Sequence, residues 1–94
     1  MQIKWLRLAL ADIDEIAEFI AKDNKLAADK IVSLIYQNVK YLKVHPSRGR
    51  AGRVTGTREL YISGTPFIVP YRVVDNEIQI IRVIHTSRKW PEEF

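Results

Sequence analysis

The sequence contains no cysteine, and its 94 residues include only four glycines and four prolines. Without cysteine no disulfide can form, which fits a reducing cytoplasm. No apolar run is long enough to span a bilayer, and the N-terminus lacks the pattern of a signal peptide. These absences predict a soluble, unprocessed, cytoplasmic protein whose fold depends on a hydrophobic core.

What the sequence does contain is abundant apolar material and an uneven distribution of charge. Hydrophobic residues make up 47% of the chain, and the length suits one domain spanning residues 1–94. The formal net charge is +4. Residues 12–29 include six acidic side chains, whereas residues 30–58 include seven lysines or arginines and no acidic residue. The basic stretch is either a solvated face or a patch for nucleic acid or an acidic protein partner.

Two amphipathic helices are predicted after a short strand at residues 2–7. The first begins at Leu8, and its apolar residues recur at spacings of three and four. Its buried stripe comprises Leu10, Ile13, Ile16, Ala17 and Ile20. Asp23 or Asn24 can cap a second helix, which Pro46 stops at about Val44. The second stripe comprises Leu26, Ala27, Ile31, Leu34, Ile35, Val39 and Leu42. The short connection predicts an antiparallel helical hairpin.

A basic loop and three strands follow the helices. The loop spans residues 46–57, and its glycines predict flexibility there. Its three arginines are Arg48, Arg50 and Arg53. Alternating residues predict strands at residues 58–62, 67–74 and 77–84. Pro70 cannot donate to a strand ladder, which predicts a bulge or an unpaired site there. The order β-α-α-β-β-β predicts an α+β fold, with the helical hairpin packed on a mainly antiparallel four-stranded sheet.

Few residues offer catalytic chemistry. His45 and His85 lie in different predicted elements without acidic residues at ligand spacing, so no metal site is expected. No serine lies in a nucleophile turn. Arg82, inside an apolar strand, must reach solvent or pair with a carboxylate such as Glu59. His85 at the strand end is either a polar cap or a general acid–base group, and Trp90 either covers the core or stacks on a base.

Three segments of the chain match a known pattern of sequence and order. They are Gly56-Thr-Arg-Glu-Leu60, Phe67-Ile-Val-Pro-Tyr-Arg-Val73 and Ile81-Arg-Val-Ile-His-Thr-Ser-Arg88. With the order of elements, they make the chain similar to the RelE/ParE superfamily of bacterial toxins. The resemblance implies a growth-inhibiting toxin without a cofactor. It also implies a cognate antitoxin as partner, through which alone operator DNA would be contacted. RelE-like members cleave messenger RNA on the ribosome without metal, whereas ParE-like members poison DNA gyrase.

The resemblance is closer to the ParE branch. The strand after the glycine loop reads Arg58-Glu-Leu-Tyr-Ile62, and the central strand opens on Phe67-Ile-Val69, where the nuclease branch has basic residues. An aliphatic side chain can neither stabilise a pentacoordinate phosphate nor transfer a proton. We therefore expect a gyrase inhibitor without catalytic residues. Its expected target-binding residues are Arg48, Arg50, Arg53, Arg88, Lys89 and Trp90.

Two alternatives stay open, and an antitoxin is expected on either active branch. A ribosome-dependent endoribonuclease would use Arg58, Arg82, His85 and Arg88 as cationic and proton-transfer groups. A relic of the toxin fold would bind only an antitoxin or its operator complex. The antitoxin is expected to lie as an extended or helical peptide on apolar parts of the helical hairpin and along the sheet. The residues expected to contact it are Ile13, Ile20, Leu34 and Ile35.

Overall fold

The chain forms six strands and two helices. The computed structural model describes all 94 residues. In chain order the elements are β1 (Gln2–Trp5), α1 (Arg7–Ala21), α2 (Lys25–Lys40), a 3₁₀ turn (Tyr41–Lys43), β2 (Arg50–Ala51), β3 (Arg58–Tyr61), β4 (Phe67–Val74), β5 (Glu77–Ile80) and β6 (Ile84–His85). The side chain of Asn24 accepts a hydrogen bond from the Ala27 N–H at 3.1 Å, so the predicted cap between the helices is confirmed.

The strands form one sheet in the order β1-β5-β4-β3-β2. All neighbours are antiparallel except β1 and β5, because β1 reaches its partner through the helical hairpin rather than through a turn. The predicted α+β class is confirmed. The edge strand β2 was not predicted. It is two residues long and places Arg50 opposite Glu59.

The core lies between the helical hairpin and one face of the sheet. Its sheet residues alternate along each strand, as a half-buried sheet requires. They include Leu60, Ile62, Phe67, Val69, Tyr71, Ile78 and Ile80. On α1 the buried positions are Ala9, Asp12 and Ile13, so the predicted stripe is rotated and Leu10 is exposed. Leu26, in the first turn of α2, is also exposed, contrary to the prediction. Neither helix combines the length and apolar character needed to cross a membrane.

The continuous strand predicted at residues 77–84 is wrong, because the chain breaks between β5 and β6. Tyr71 pairs with Ile80 and Ile68 pairs with Ile84, so three residues on one side oppose two on the other. This is the bulge that Pro70 predicts. The Pro70 carbonyl accepts the Ile81 N–H at 3.0 Å, while the proline has no N–H to return.

Candidate functional site

A buried carboxylate holds the bulge against α1. Asp12 Oδ2 accepts from Arg82 Nε at 2.7 Å and from the Val83 N–H at 2.9 Å, and Asp12 Oδ1 accepts from Arg82 Nη2 at 3.0 Å. The hydrogen bond to Asp12 raises the pKa of Arg82, although burial opposes the change. The predicted pairing of Arg82 with a carboxylate is confirmed, but the partner is Asp12 rather than Glu59, which pairs with Arg53.

Beside this pair lies an open groove of about 550 Å³ between α1 and the end of the chain. We call it the α1–β6 groove. Strand β6 pairs with β4 on one side only, so its edge toward α1 has no strand partner. The apolar lining consists of Ile16, Phe19, Ile20, Phe67, Val83 and Ile84. Charged residues also line it, namely Asp12, Glu15, Glu18, Lys22, Arg82, Arg88 and Lys89. An apolar floor with a charged rim beside an open strand edge suits an amphipathic peptide.

The residues expected of a nuclease are only partly assembled. His85 lines the groove, and its Nδ1 accepts from the Ser87 N–H at 3.0 Å, which leaves Nε2 to carry the proton of the neutral ring. Arg88 also lines the groove, exposed and 4.0 Å from Glu15. Arg82 is there, but its charge is paired with Asp12. Arg58 lies elsewhere and donates to the carbonyls of residues 47 and 49 at 3.2 and 2.7 Å.

Two buried side chains anchor the basic loop, which the sequence predicted to be flexible. The Tyr71 hydroxyl donates to the Pro46 carbonyl and accepts from the Gly49 N–H, both at 2.8 Å. A Cβ atom at Gly49 would lie 2.6 Å from the Tyr71 ring, so this glycine permits a close approach. Glu59 Oε2 accepts from the Arg53 N–H at 2.7 Å. Desolvation raises the pKa of Tyr71, and the Gly49 N–H partly offsets that rise.

The three loop arginines each lie over an aromatic ring. The guanidinium carbon is 5.2 Å from the ring centroid in Arg48–Tyr41, 4.3 Å in Arg50–Tyr61 and 4.0 Å in Arg53–Trp90. We call these six residues the arginine ridge. Of the six residues predicted to bind a target, the ridge includes the three arginines and Trp90. Arg88 and Lys89 instead line the groove.

The four residues predicted to bind an antitoxin occupy different environments. Ile13 and Ile35 are buried in the core, so little of either side chain is open to a partner. Leu34 is partly buried and packs against the core, and Ile20 lines the groove. Phe19, which was not among the predicted contact residues, lines the groove and is 73% exposed. An aromatic residue off the buried stripe was the signal for it.

Comparison with known proteins gives this architecture a class and a family. A family model described as "ParE toxin of type II toxin-antitoxin system, parDE" matches residues 3–90. The chain is thus the toxin component of a type II toxin–antitoxin system, which implies a cognate antitoxin as partner. Within that class it belongs to the ParE toxin family, and the resemblance seen in the sequence is confirmed.

Relatives and a solved structure agree with this family. "Putative toxin Y4kP" of Sinorhizobium fredii (strain NBRC 101917 / NGR234) is 38% identical over 91 residues, covering 97% of this chain and 94% of the relative. "Toxin RelE2" of Caulobacter vibrioides (strain ATCC 19089 / CIP 103742 / CB 15) is 32% identical over 87 residues, covering 93% and 97%. The structure titled "Chromosomal ParDE TA system from P. aeruginosa" has a TM-score of 0.82 and 36% identity, covering 90% of this chain and 95% of its own.

Proposed function

We propose that this ParE-family toxin acts in the cytoplasm by inhibiting DNA gyrase and so stops replication. The observation that carries the proposal is that two of the four residues that a nuclease would use already make structural hydrogen bonds. Arg82 is paired with Asp12, and Arg58 donates to loop carbonyls. Cationic groups that stabilise a phosphorane must be free to face it. The inhibitor would instead act by contact, with the arginine ridge, Arg88 and Lys89 facing the target.

The second candidate function is ribosome-dependent cleavage of messenger RNA. Its support is that Arg82, His85 and Arg88 line one groove, and that a relative carries the name RelE2. A general base with a cation beside it is the minimum for attack by a ribose hydroxyl. In this scheme His85 and Arg88 would have to supply almost all of the chemistry, because the charge of Arg82 is paired.

A gyrase supercoiling assay and a translating extract together separate the two candidates. We expect the purified toxin to inhibit supercoiling and to leave messenger RNA intact in the extract. The double variant His85→Ala, Arg88→Ala tests the rival, since a nuclease would lose all cleavage with it. Messenger cleavage by the unaltered toxin, lost in the double variant, with supercoiling unaffected, would reject gyrase as the target.

We further propose that the cognate antitoxin binds in the α1–β6 groove. Phe19, which is exposed, and Ile20, which is half-buried, offer apolar surface on the helix side, and the unpaired edge of β6 offers backbone groups on the sheet side. An extended segment can hydrogen-bond to such an edge while its alternate side chains enter the groove.

The antitoxin site can be tested with a matched pair of substitutions. Phe19→Asp places a charge in the groove, whereas Leu26→Asp places the same charge on a residue that is 80% exposed and outside the groove. We expect Phe19→Asp to weaken antitoxin binding by roughly tenfold or more, as loss of an interface anchor does, and Leu26→Asp to leave it unchanged. Calorimetry measures both. Equal affinities for the two variants would place the antitoxin elsewhere.

A further inference from the structure

The arginine ridge follows the edge of the sheet that β2 forms. Arg50 and Glu59 are directly opposite each other across β2 and β3, so their side chains share a face of the sheet. Tyr61, two residues after Glu59, lies on the same face and receives the Arg50 guanidinium. The core residues of β3 and β4 occupy the other face. Arg50 therefore lies on the face of the sheet opposite the core, whereas Arg48 lies over Tyr41 of the 3₁₀ turn.

The ridge is held in place before any partner binds. Tyr71 fixes the start of the loop through two hydrogen bonds, and Glu59 fixes Arg53 through its backbone N–H. Each guanidinium then rests on a ring, which limits its rotamers. A surface fixed in this way loses little side-chain entropy on binding. Arginine, tyrosine and tryptophan are also the residue types that contribute most binding energy at protein interfaces.

The chemistry of the ridge selects carboxylates. A guanidinium that lies over a ring can still direct N–H groups outward and fork onto a carboxylate. The acidic residue beside the ridge, Glu59, is buried and already bonded to Arg53, so Arg48 and Arg50 carry charge without a paired acidic residue. Each of the three rings has a face covered by its arginine, which disfavours the base stacking by which single-stranded nucleic acids are bound.

We propose that the arginine ridge binds a carboxylate-rich segment of a partner protein. Arg50 on Tyr61 is its central contact, because its charge is free and its ring lies at the sheet edge. The identity of the partner as gyrase rests on the proposed function, whereas the chemistry of the segment does not. The ridge thus differs from the α1–β6 groove: it consists of arginines over aromatic rings, whereas the groove has an aliphatic and aromatic lining with charged residues of both signs.

Affinity for purified gyrase tests the ridge through three substitutions. Arg50→Ala removes the central contact, and Arg7→Ala removes the same charge from the exposed start of α1. Arg50→Lys keeps the charge and loses the fork. We expect Arg50→Ala and Arg50→Lys to weaken binding by roughly tenfold or more, with Arg7→Ala close to the unaltered toxin. If Arg50→Ala and Arg7→Ala bind gyrase equally well, or if Arg50→Lys binds it as well as the unaltered toxin, the proposal that the ridge binds carboxylates is wrong. Gyrase would then still be the target.

A titration without gyrase separates failure of the ridge from failure of the target. Hexaglutamate peptide is added to the labelled toxin, and an oligothymidine of the same charge is added in a parallel experiment. We expect the peptide to shift the Nε–H resonances of Arg48 and Arg50 more than that of Arg7. Uniform shifts, or tighter binding of the oligothymidine at physiological salt, would overturn the proposal, the latter in favour of nucleic acid. If the toxin fails to bind gyrase but the peptide gives the expected shifts, the proposal about the ridge stands and only gyrase as its partner is rejected.

Discussion

Asp12 is the residue that ties the first helix to the end of the chain. It is buried, and its two oxygens accept three hydrogen bonds from Arg82 and Val83. These bonds take the place of the ladder that a continuous strand would have formed at residues 82 and 83. A buried carboxylate of this kind costs desolvation energy, and only the full set of partners offsets it. Asp12 therefore stabilises the break in the strand by bonding to the two residues before β6.

Removal of Asp12 should destabilise the fold far more than removal of an exposed neighbour. Asp12→Ala leaves Arg82 without its partner and the Val83 N–H without an acceptor, and we expect a loss of about 3 kcal/mol in the free energy of unfolding. Asp14→Ala, on the same helix but exposed, should change it by less than about 0.5 kcal/mol. Urea denaturation measures both variants. Similar midpoints for the two would show that the pair does not hold the bulge.

The coupling within the pair can be isolated by a double-mutant cycle. Arg82→Ala should cost at least as much as Asp12→Ala, since it leaves the buried Asp12 carboxylate with only the Val83 N–H, whereas the Arg82 left unpaired by Asp12→Ala is itself 24% exposed. The double variant should then cost less than the sum of the single changes, with a coupling of about 1–3 kcal/mol. Additive losses would mean that the two side chains act independently.

At the scale of elements, Tyr71 joins the central strand β4 to the loop before β2. Its hydroxyl bonds to Pro46 and Gly49, so the start of the loop is tied to the sheet. Burial favours the neutral phenol and raises its pKa above the ordinary 10.0. A phenol with a raised pKa in the folded state contributes stability that is complete below pH 10.0. That contribution is lost as the pH rises through the folded-state pKa, because the unfolded chain releases its proton first.

Replacement of Tyr71 should therefore change how stability depends on alkaline pH. Tyr71→Phe loses two hydrogen bonds, so it should be less stable at neutral pH by about 1–3 kcal/mol. It should also lose less stability than the unaltered protein above pH 10.0, because it has no phenol to ionise at that site. Tyr36→Phe, at an exposed position, should follow the unaltered protein. Denaturation at a series of pH values measures this, and parallel curves for all three proteins would contradict it.

Elements with a strong local pattern could be predicted from the sequence, and elements set by distant contacts could not. Both helices, the Asn24 cap and the bulge at Pro70 follow from periodicity, capping and the missing proline N–H. Strand β2 has two residues and owes its existence to pairing with β3. The partner of Arg82 at this bulge is Asp12, which is 70 positions away in the chain. No local pattern contains that contact.

The candidate site was predicted less well than the fold, for a related reason. A helical stripe identifies apolar residues that share a face, but it does not reveal whether the chain's own sheet covers them. Ile13 and Ile35 are covered, while Phe19, off the stripe, is exposed in the groove. The basic loop was predicted as a binding surface from its arginines alone. Their rings could not be assigned, since Tyr41, Tyr61 and Trp90 come from three different parts of the chain.

At the scale of the whole molecule, the end of the chain links the groove to the arginine ridge. Arg88, Lys89 and Pro91 line the groove, while the ring of Trp90 between them lies under Arg53. The indole Nε1–H of Trp90 is buried without a hydrogen-bond acceptor. A buried donor without an acceptor is costly, so a small displacement that supplies an acceptor is favourable. A ligand in the groove that moves residues 88–91 must also move Trp90 against Arg53.

Trp90 should therefore report antitoxin binding in the groove through its fluorescence. The chain has two tryptophans, so Trp5→Phe leaves Trp90 as the single emitter. We expect the antitoxin to shift its emission maximum and intensity, because displacement of residues 88–91 moves the Trp90 ring relative to the Arg53 guanidinium. In the matched variant Trp90→Phe, Trp5 packs against Tyr36 at 4.8 Å, outside the groove, and its emission should stay constant. Calorimetric binding with unchanged Trp90 emission would show that the groove and the ridge act independently. In that case the antitoxin would not act on the ridge by displacing Trp90. It could neutralise the toxin only by covering the ridge directly or by blocking the approach of the target.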